Sequence, residues 1–201
     1  MHKILGSLPL RRSWKMQSPD VLPGELVYLC KLTEEDLEVW WGLIHKDEHP
    51  ERKKWDAPYF PLKRIEFDKF KEQMTNLIHQ GYDRKYLIKV DDEIIGMVTY
   101  YWEHETSQWL EIGIVIYLPE YWNGGYGTDA LKVWIQHLFN TFPIPRIGFT
   151  TWSGNARMIT VGKKLGMVEE GRIRKCRLYN GKYYDSVKMG LLREEWEANQ
   201  Q

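Results

Sequence analysis

A mixed α/β layer fold is what the sequence predicts, and three observations carry it. Residues 86–118 divide into strand-like runs joined end to end by short polar turns, the pattern of an antiparallel meander. A strand–helix–strand crossover follows as far as Trp152, which requires at least one parallel pair. Asn180-Gly181 between two further apolar runs is a strong hairpin signal. Together these give a mixed, mostly antiparallel sheet of about seven strands flanked by helices.

Residues 1–24, with Pro9, Pro19, Pro23 and Gly24, read as an irregular extension before one domain spanning 25–201. Glu25–Leu32 alternates as a strand does. Thr33 is placed as an N-cap, with Glu34, Glu35 and Asp36 in a first turn where the helix dipole favours anions. Leu37, Trp40, Trp41 and Ile44 then recur at helical spacing, and Trp55–Pro61 reads as an ordered loop. Ile65–Gln80 is helical again, with Phe67, Phe70, Met74, Leu77 and Ile78 on one side and Gly81 as its stop. Tyr86–Val90, Ile94–Trp102 and Gln108–Leu118 are the meander strands. Ala130, Leu131, Trp134, Ile135, Leu138 and Phe139 fall at three- and four-residue steps, so a helix fills that stretch. Arg146–Trp152 is a strand, Asn155–Leu165 a short helix ended by Gly166, and Met167–Leu178 with Tyr183–Leu192 the closing hairpin.

Composition narrows the function. At 43% hydrophobic residues in 201, the chain can bury a core and is not disordered by default. Lys plus Arg (28) equals Asp plus Glu (28), which excludes a generic polyanion binder. Cys30 and Cys176 have neither metal-ligand spacing nor the density of a disulfide framework, pointing to a reducing, cytoplasmic setting. No apolar run reaches the ~18 residues of a membrane span. The 10 Trp and 12 Tyr suit either a cleft for small organic molecules or a large core.

The most informative segment is Tyr121-Trp122-Asn123-Gly124-Gly125-Tyr126-Gly127-Thr128, between a strand and an amphipathic helix. Glycine permits positive φ and close ligand approach, and a helix start presents unpaired N–H groups; together they make a nest for phosphate. A plain tight turn would use the same glycines. No Walker Gly-Lys-Ser/Thr follows, and a meander precedes, so neither common nucleotide fold applies.

The stretches LEIGIVIYLPEYWNGGYGTDALKVWIQHLF, TTWSGNARMITVGKKLGM and YYDSVKMGLLREEW resemble the GCN5-related N-acetyltransferase (GNAT) superfamily, in particular its ribosomal-protein-serine and -alanine N-acetyltransferase branch. The resemblance covers Glu25 to Trp196 and is strongest from Leu110 onward. It implies the acyl-CoA N-acyltransferase fold, in which two central strands splay and acetyl-CoA inserts its pantetheine arm between them. It further implies that backbone groups of Val115, Ile116 and Tyr117 meet pantetheine as an added strand would. Backbone N–H groups of Asn123, Gly124, Gly125, Tyr126, Gly127 and Thr128 would hold the pyrophosphate, and Asn155 would hydrogen-bond pantetheine while capping its own helix. Three positions depart from the family pattern. Trp122 stands where Gln or Arg is usual. Met158 and Gly162 replace the Ser and Tyr that relatives place three and seven residues after the Asn.

Acetyl transfer to an alkyl ammonium of pKa ~10.4 requires a base or a water chain. Glu111 is the candidate base, being the one charged residue in Trp109–Leu118, although an outward strand residue in a salt bridge has the same sequence signature. His45 with His49, and Glu103-His104-Glu105, lack further ligands at metal spacing, so no metal is expected. Arg172, Arg174, Lys175, Arg177 and Lys182 make a basic hairpin that reads as a solvated face. It could also meet an acidic protein, RNA or the adenosine 3′-phosphate. Trp40, Trp41, Trp55, Tyr59 and Phe60 suit either core packing or the rim of an acceptor cleft. The resulting expectation is an acetyl-CoA-dependent N-acetyltransferase acting on a primary amine such as a protein N-terminus. A small-amine or aminoglycoside acetyltransferase and a non-catalytic acyl-CoA sensor are the alternatives. No membrane partner is expected, nucleic acid is disfavoured, and a homodimer is left open.

Overall fold

Period-two alternation decides the layering of this chain. In the computed structural model, which describes residues 19–199, strands β1 (Val21–Pro23), β2 (Tyr28–Lys31), β3 (Lys85–Val90), β4 (Glu93–His104) and β5 (Trp109–Ile116) pair antiparallel in sequence order. Strand β6 (Arg146–Trp152) runs parallel to β5, and the hairpin β7 (Val168–Tyr179) and β8 (Lys182–Leu192) completes the sheet through β8. The order is β1-β2-β3-β4-β5-β6-β8-β7. Successive side chains go to opposite faces. Leu29, Tyr86, Ile88, Ile95, Leu110 and Ile112 join the core under helix α3 (Tyr126–Thr141). Cys30, Leu87, Ile94 and Tyr117 join the core under α1 (Leu37–His45) and α2 (Phe67–His79). Hence the meander residues are apolar on both faces, as a sheet covered on both sides requires.

The sheet is whole except at its centre. Strands β5 and β6 are paired only at Leu110–Ile147 and Glu111–Gly148. Beyond that point β5 remains on β4 as far as Ile116, and β6 remains on β8 as far as Trp152, so the two strands diverge with an open edge on each. Two facing open edges are a place for an extended ligand to complete hydrogen bonding. The first turn of α3 lies over the open half of β5, where a Cβ on Gly127 would sit 3.7 Å from Ile114 and 3.9 Å from Ile116. Helix α4 (Ala156–Lys164) starts directly after β6.

Three local readings are corrected. The sheet has eight strands rather than about seven, because Val21–Pro23, inside the expected extension, pairs with β2; residues 1–18 of that extension lie outside the described residues. Helix α1 opens at Leu37, not after Thr33. Asp36 accepts from Thr33 N (3.0 Å) and Oγ1 (2.9 Å) and pairs with Lys89 Nζ at 2.7 Å, which holds residues 33–36 in turns. The hairpin turn is as read, with Asn180 and Gly181 both at positive φ (48° and 72°). A final helix α5 (Arg193–Ala198) follows β8 and was not expected; its Trp196 packs into the α3 core. Its short length leaves too few apolar positions to show a helical period.

One buried carboxylate ties the start of the sheet to α3. Asp129, in the first turn, accepts from Leu26 N at 2.7 Å and Val27 N at 3.1 Å, where the helix dipole also favours an anion. A Cβ on Gly24 would lie 2.6 Å from the same carboxylate oxygen, so the β1–β2 turn needs glycine there. Asp129→Ala strands both donors, and chemical denaturation is expected to show a loss of about 1–3 kcal/mol with the denaturant slope unchanged.

Candidate active site

Residues 122–127 wrap the N-terminus of α3 as an open nest. Asn123 (φ 64°) and Gly125 (φ 92°) are both left-handed, and this turns consecutive amides to one side. The N–H groups of Asn123, Gly124, Gly125, Tyr126 and Gly127 have no acceptor among the described residues, as a helix start allows. Thr128 is a correction to the expected set, because its N–H is spent on Gly125 O at 3.0 Å. Gly124 is dictated by packing: a Cβ would stand 2.6 Å from the Tyr126 ring, which meets Tyr121 edge-on.

Trp122, which breaks the family pattern in sequence, has two roles here. Its indole Nε1 donates to Ile116 O at 3.2 Å, and its ring receives the Arg157 guanidinium at 4.7 Å. Arg157 is held from the other side by Trp55 at 4.2 Å. A cation therefore does stand beside the nest, supplied by α4 rather than by position 122. Nothing local in the sequence signalled Arg157, because only the tertiary stack gives it a place.

From the nest a cleft of about 540 Å³ follows the β5–β6 split, lined by Gly113, Ile114, Ile116, Thr150, Trp152 and Asn155 among others. Backbone direction along β5 corrects the expected pantetheine contacts. Tyr117 N–H donates to Ile95 O at 2.8 Å, and antiparallel alternation turns Val115 toward β4 as well. Ile114 and Ile116 are the residues whose backbone faces the opening; Val115 contributes its side chain to the lining. The Tyr117 phenol is buried, accepting from Trp40 Nε1 at 2.8 Å. Asn155 is engaged at both ends of its amide, capping α4 through Met158 N (3.1 Å) and donating to Trp55 O (3.1 Å).

Glu111 lies at the apex, in the last paired position before the strands part, and is 2% exposed. Its Oε2 accepts from Tyr101 OH (3.0 Å) and Thr150 Oγ1 (2.9 Å), while Oε1 is 3.5 Å from Lys188 Nζ. Thr150 also lines the cleft, so one hydroxyl separates the carboxylate from the cavity. The outward-facing alternative is excluded by burial, although the ion pair it supposed does exist. Burial and the neighbouring Glu111 push the Tyr101 phenol far above its ordinary range, so this hydroxyl donates and does not ionise.

On α4, Met158 lines the cleft and Gly162 is buried with a reason: a Cβ there would stand 2.8 Å from the Phe149 ring. The space beside Gly162 is filled by the Phe149 ring of β6. Of the aromatic residues first considered, Trp55 and Tyr59 line the cleft, whereas Trp40 is core, Trp41 donates to Ile65 O, and Phe60 is exposed. Tyr59 meets Trp152 edge-on at 6.0 Å beneath the Arg177 guanidinium at 5.0 Å, and burial raises its phenol.

The acetyltransferase (GNAT) domain family matches this chain over residues 27–168. The chain is similar to the SPbeta prophage-derived uncharacterized N-acetyltransferase YokL of Bacillus subtilis strain 168, at 24% identity over 176 residues, covering 88% of this chain and 95% of that protein. Its fold is similar to that of spermidine N-acetyltransferase from Vibrio cholerae in complex with CoA and spermine (TM-score 0.70, 20% identity, covering 86% and 98%). It is also similar to RimL, a ribosomal L7/L12 alpha-N-protein acetyltransferase in complex with coenzyme A (TM-score 0.68, 16% identity, covering 86% and 97%).

The nest can be tested without disturbing the fold. A Cβ on Gly127 makes only ordinary contacts with Ile114 and Ile116, whereas Gly125 has a φ that strains any other residue. Gly127→Val is therefore expected to melt like wild type yet lose more than about tenfold in coenzyme A affinity by calorimetry, a change above ~1.4 kcal/mol. Unchanged affinity in the folded variant would show that the nest holds no phosphate.

Proposed function

Since the chain belongs to the GNAT acetyltransferase family, we propose that it moves an acetyl group from acetyl-CoA to a protein N-terminal amine by direct attack in a ternary complex. The observation that carries this reading is the central split, with a nest of unpaired N–H groups at its open end and a buried carboxylate at its apex. Acetyl-CoA supplies the activated acyl group as a thioester. The residues present fit such a ligand: a diphosphate suits the Asn123–Gly127 amides with Arg157 beside them, and an extended amide chain suits the backbone of Ile114 and Ile116. Asn155 is positioned to exchange its Trp55 contact for a ligand carbonyl.

Glu111 takes the amine proton. Its two hydroxyl partners and Lys188 fix the carboxylate in place, and Thr150 links it to the cleft. Proton removal exposes the nitrogen lone pair for attack, which is general-base catalysis at the one step an ammonium cannot take unaided. Neither Met158 nor Gly162 can donate a proton to the departing sulfur, and a thiol is a far better leaving group than an amine, so a donor there is not required. A cytoplasmic setting suits two thiols of which one is buried and one exposed, with no helix among the described residues long and apolar enough to cross a membrane. The neighbour solved with spermine favours a second reading, in which the acceptor is a small amine.

Free thiol released from acetyl-CoA in the presence of an accepted amine is the activity assay. Glu111→Gln keeps volume and most hydrogen bonds but accepts no proton, so kcat/KM is expected to fall by about 100-fold or more at neutral pH. The deficit should shrink as pH rises toward the amine's own pKa, where neutral amine is abundant, and coenzyme A affinity should hold. A variant with nearly wild-type rates across the whole pH range would remove Glu111 from the mechanism.

A further inference from the structure

We infer, resting on the transferase reading above, that the acceptor is an amine with an anionic group close to its nitrogen, and that Lys188 selects it over polycationic amines. A polyamine is held by several spare carboxylates, and Asp56 is the one carboxylate lining this cleft among the described residues. Its Oδ2 is 3.5 Å from NH1 of Arg52, a guanidinium only 7% exposed that also donates to Ile44 O at 3.0 Å. Glu111 is shared with Lys188 at 3.5 Å. The other charged groups lining the cleft, Arg157 and Lys164, are both cations, and neither has a carboxylate partner among the described residues.

The placement of Lys188 makes this imbalance felt at the reacting nitrogen. Lys188 lies opposite Thr150 in the β6–β8 ladder, 38% exposed, with its ammonium 5.3 Å from the Trp109 ring. Oε2 of Glu111 is taken by Tyr101 and Thr150, so an incoming amine would use Oε1; at ~3 Å from that oxygen it stands within roughly 6–7 Å of the ammonium, since the two distances add at most. At that range, in a partly desolvated site, two like charges repel and an interposed anion attracts both. A carboxylate or phosphate two or three bonds from the nitrogen would fall between the amine and Lys188. Further cations along a polyamine would meet Lys188 or Arg52 instead.

Two sources share this chemistry: the α-carboxylate of a free amino acid and an acidic side chain at the start of a peptide. The test uses the full chain, acetyl-CoA and five acceptors: the amidated tripeptides Ser-Glu-Ala, Ser-Gln-Ala and Ser-Lys-Ala, free serine, and spermidine. Thiol release by wild type is expected to favour the Glu peptide over the Lys peptide by about tenfold or more in kcat/KM, with the Gln peptide between them and spermidine no better than the Lys peptide. Free serine above the Glu peptide assigns the anion to an α-carboxylate, and the reverse order assigns it to a side chain; both support the inference. Lys188→Met should compress the Glu-to-Lys spread to about threefold or less while Lys188→Arg preserves it, a change that a merely structural lysine would not produce. Preference for spermidine or the Lys peptide, or an undiminished spread in Lys188→Met, overturns the inference and leaves the transferase reading standing. No thiol release with any acceptor, from protein that still binds coenzyme A, overturns both.

Discussion

A two-residue pairing governs this molecule. Parallel strands β5 and β6 share only Leu110–Ile147 and Glu111–Gly148, and the divergence beyond them creates the cleft. Each strand keeps its outer neighbour, β4 or β8, so the split leaves the core on either face continuous. The edges freed by the split face each other across the cleft, where an extended ligand can satisfy them. The same geometry fixes the chemistry at the apex, because Glu111 sits in the last paired position and inherits neighbours from β4, β6 and β8 together.

Substituted residues are compensated from elsewhere in the fold. Trp122 puts no charge on the glycine-rich loop, and Arg157 from α4 takes a place on its ring. Gly162 leaves space on α4, and Phe149 from β6 fills it. The Trp122–Arg157 contact crosses the split, between the β5–α3 side and the β6–α4 side, whereas Phe149 and Gly162 lie on the same side. The Trp55 segment joins those sides again, accepting from Trp152 Nε1 at 2.9 Å and from Asn155, and clasping Arg157 against Trp122. Asn155 and Arg157, both on the wall of the cleft, are thus each in contact with that segment.

Charge balance on the acceptor side differs from that of the nucleotide side for a physical reason. Phosphates call for unpaired cations and amides, and Arg157, Lys164 and the Asn123–Gly127 N–H groups are unpaired among the described residues. The proposed base is a carboxylate held in a defined geometry away from bulk water, for Glu111 is buried with three donors around it. Burying an anion requires a compensating partner, and with Lys188 in that role a cation would stand next to the acceptor nitrogen of the proposed reaction.

The sequence alone determined the element order from β2 to β8, the antiparallel meander, the crossover, the hairpin at Asn180-Gly181 and the glycine-rich helix start. These depend on short-range terms: side-chain period, turn residues with positive φ, and helix stops. It also isolated Glu111, since one charge in an apolar strand is visible without coordinates. The tertiary structure decided what local terms do not encode. Backbone direction along β5 depends on register, so the roles of Val115, Ile116 and Tyr117 separate only once Tyr117 is seen donating to Ile95. Strand β1 is three residues stabilised by a partner, and its identity lies in that pairing rather than in its own sequence. Arg157, Thr150, Tyr101, Lys188 and Arg52 reach the cleft or its base from five separate segments, and their proximity is a property of packing. A motif records neighbours along the chain; the charge around a reacting nitrogen is set by neighbours through space.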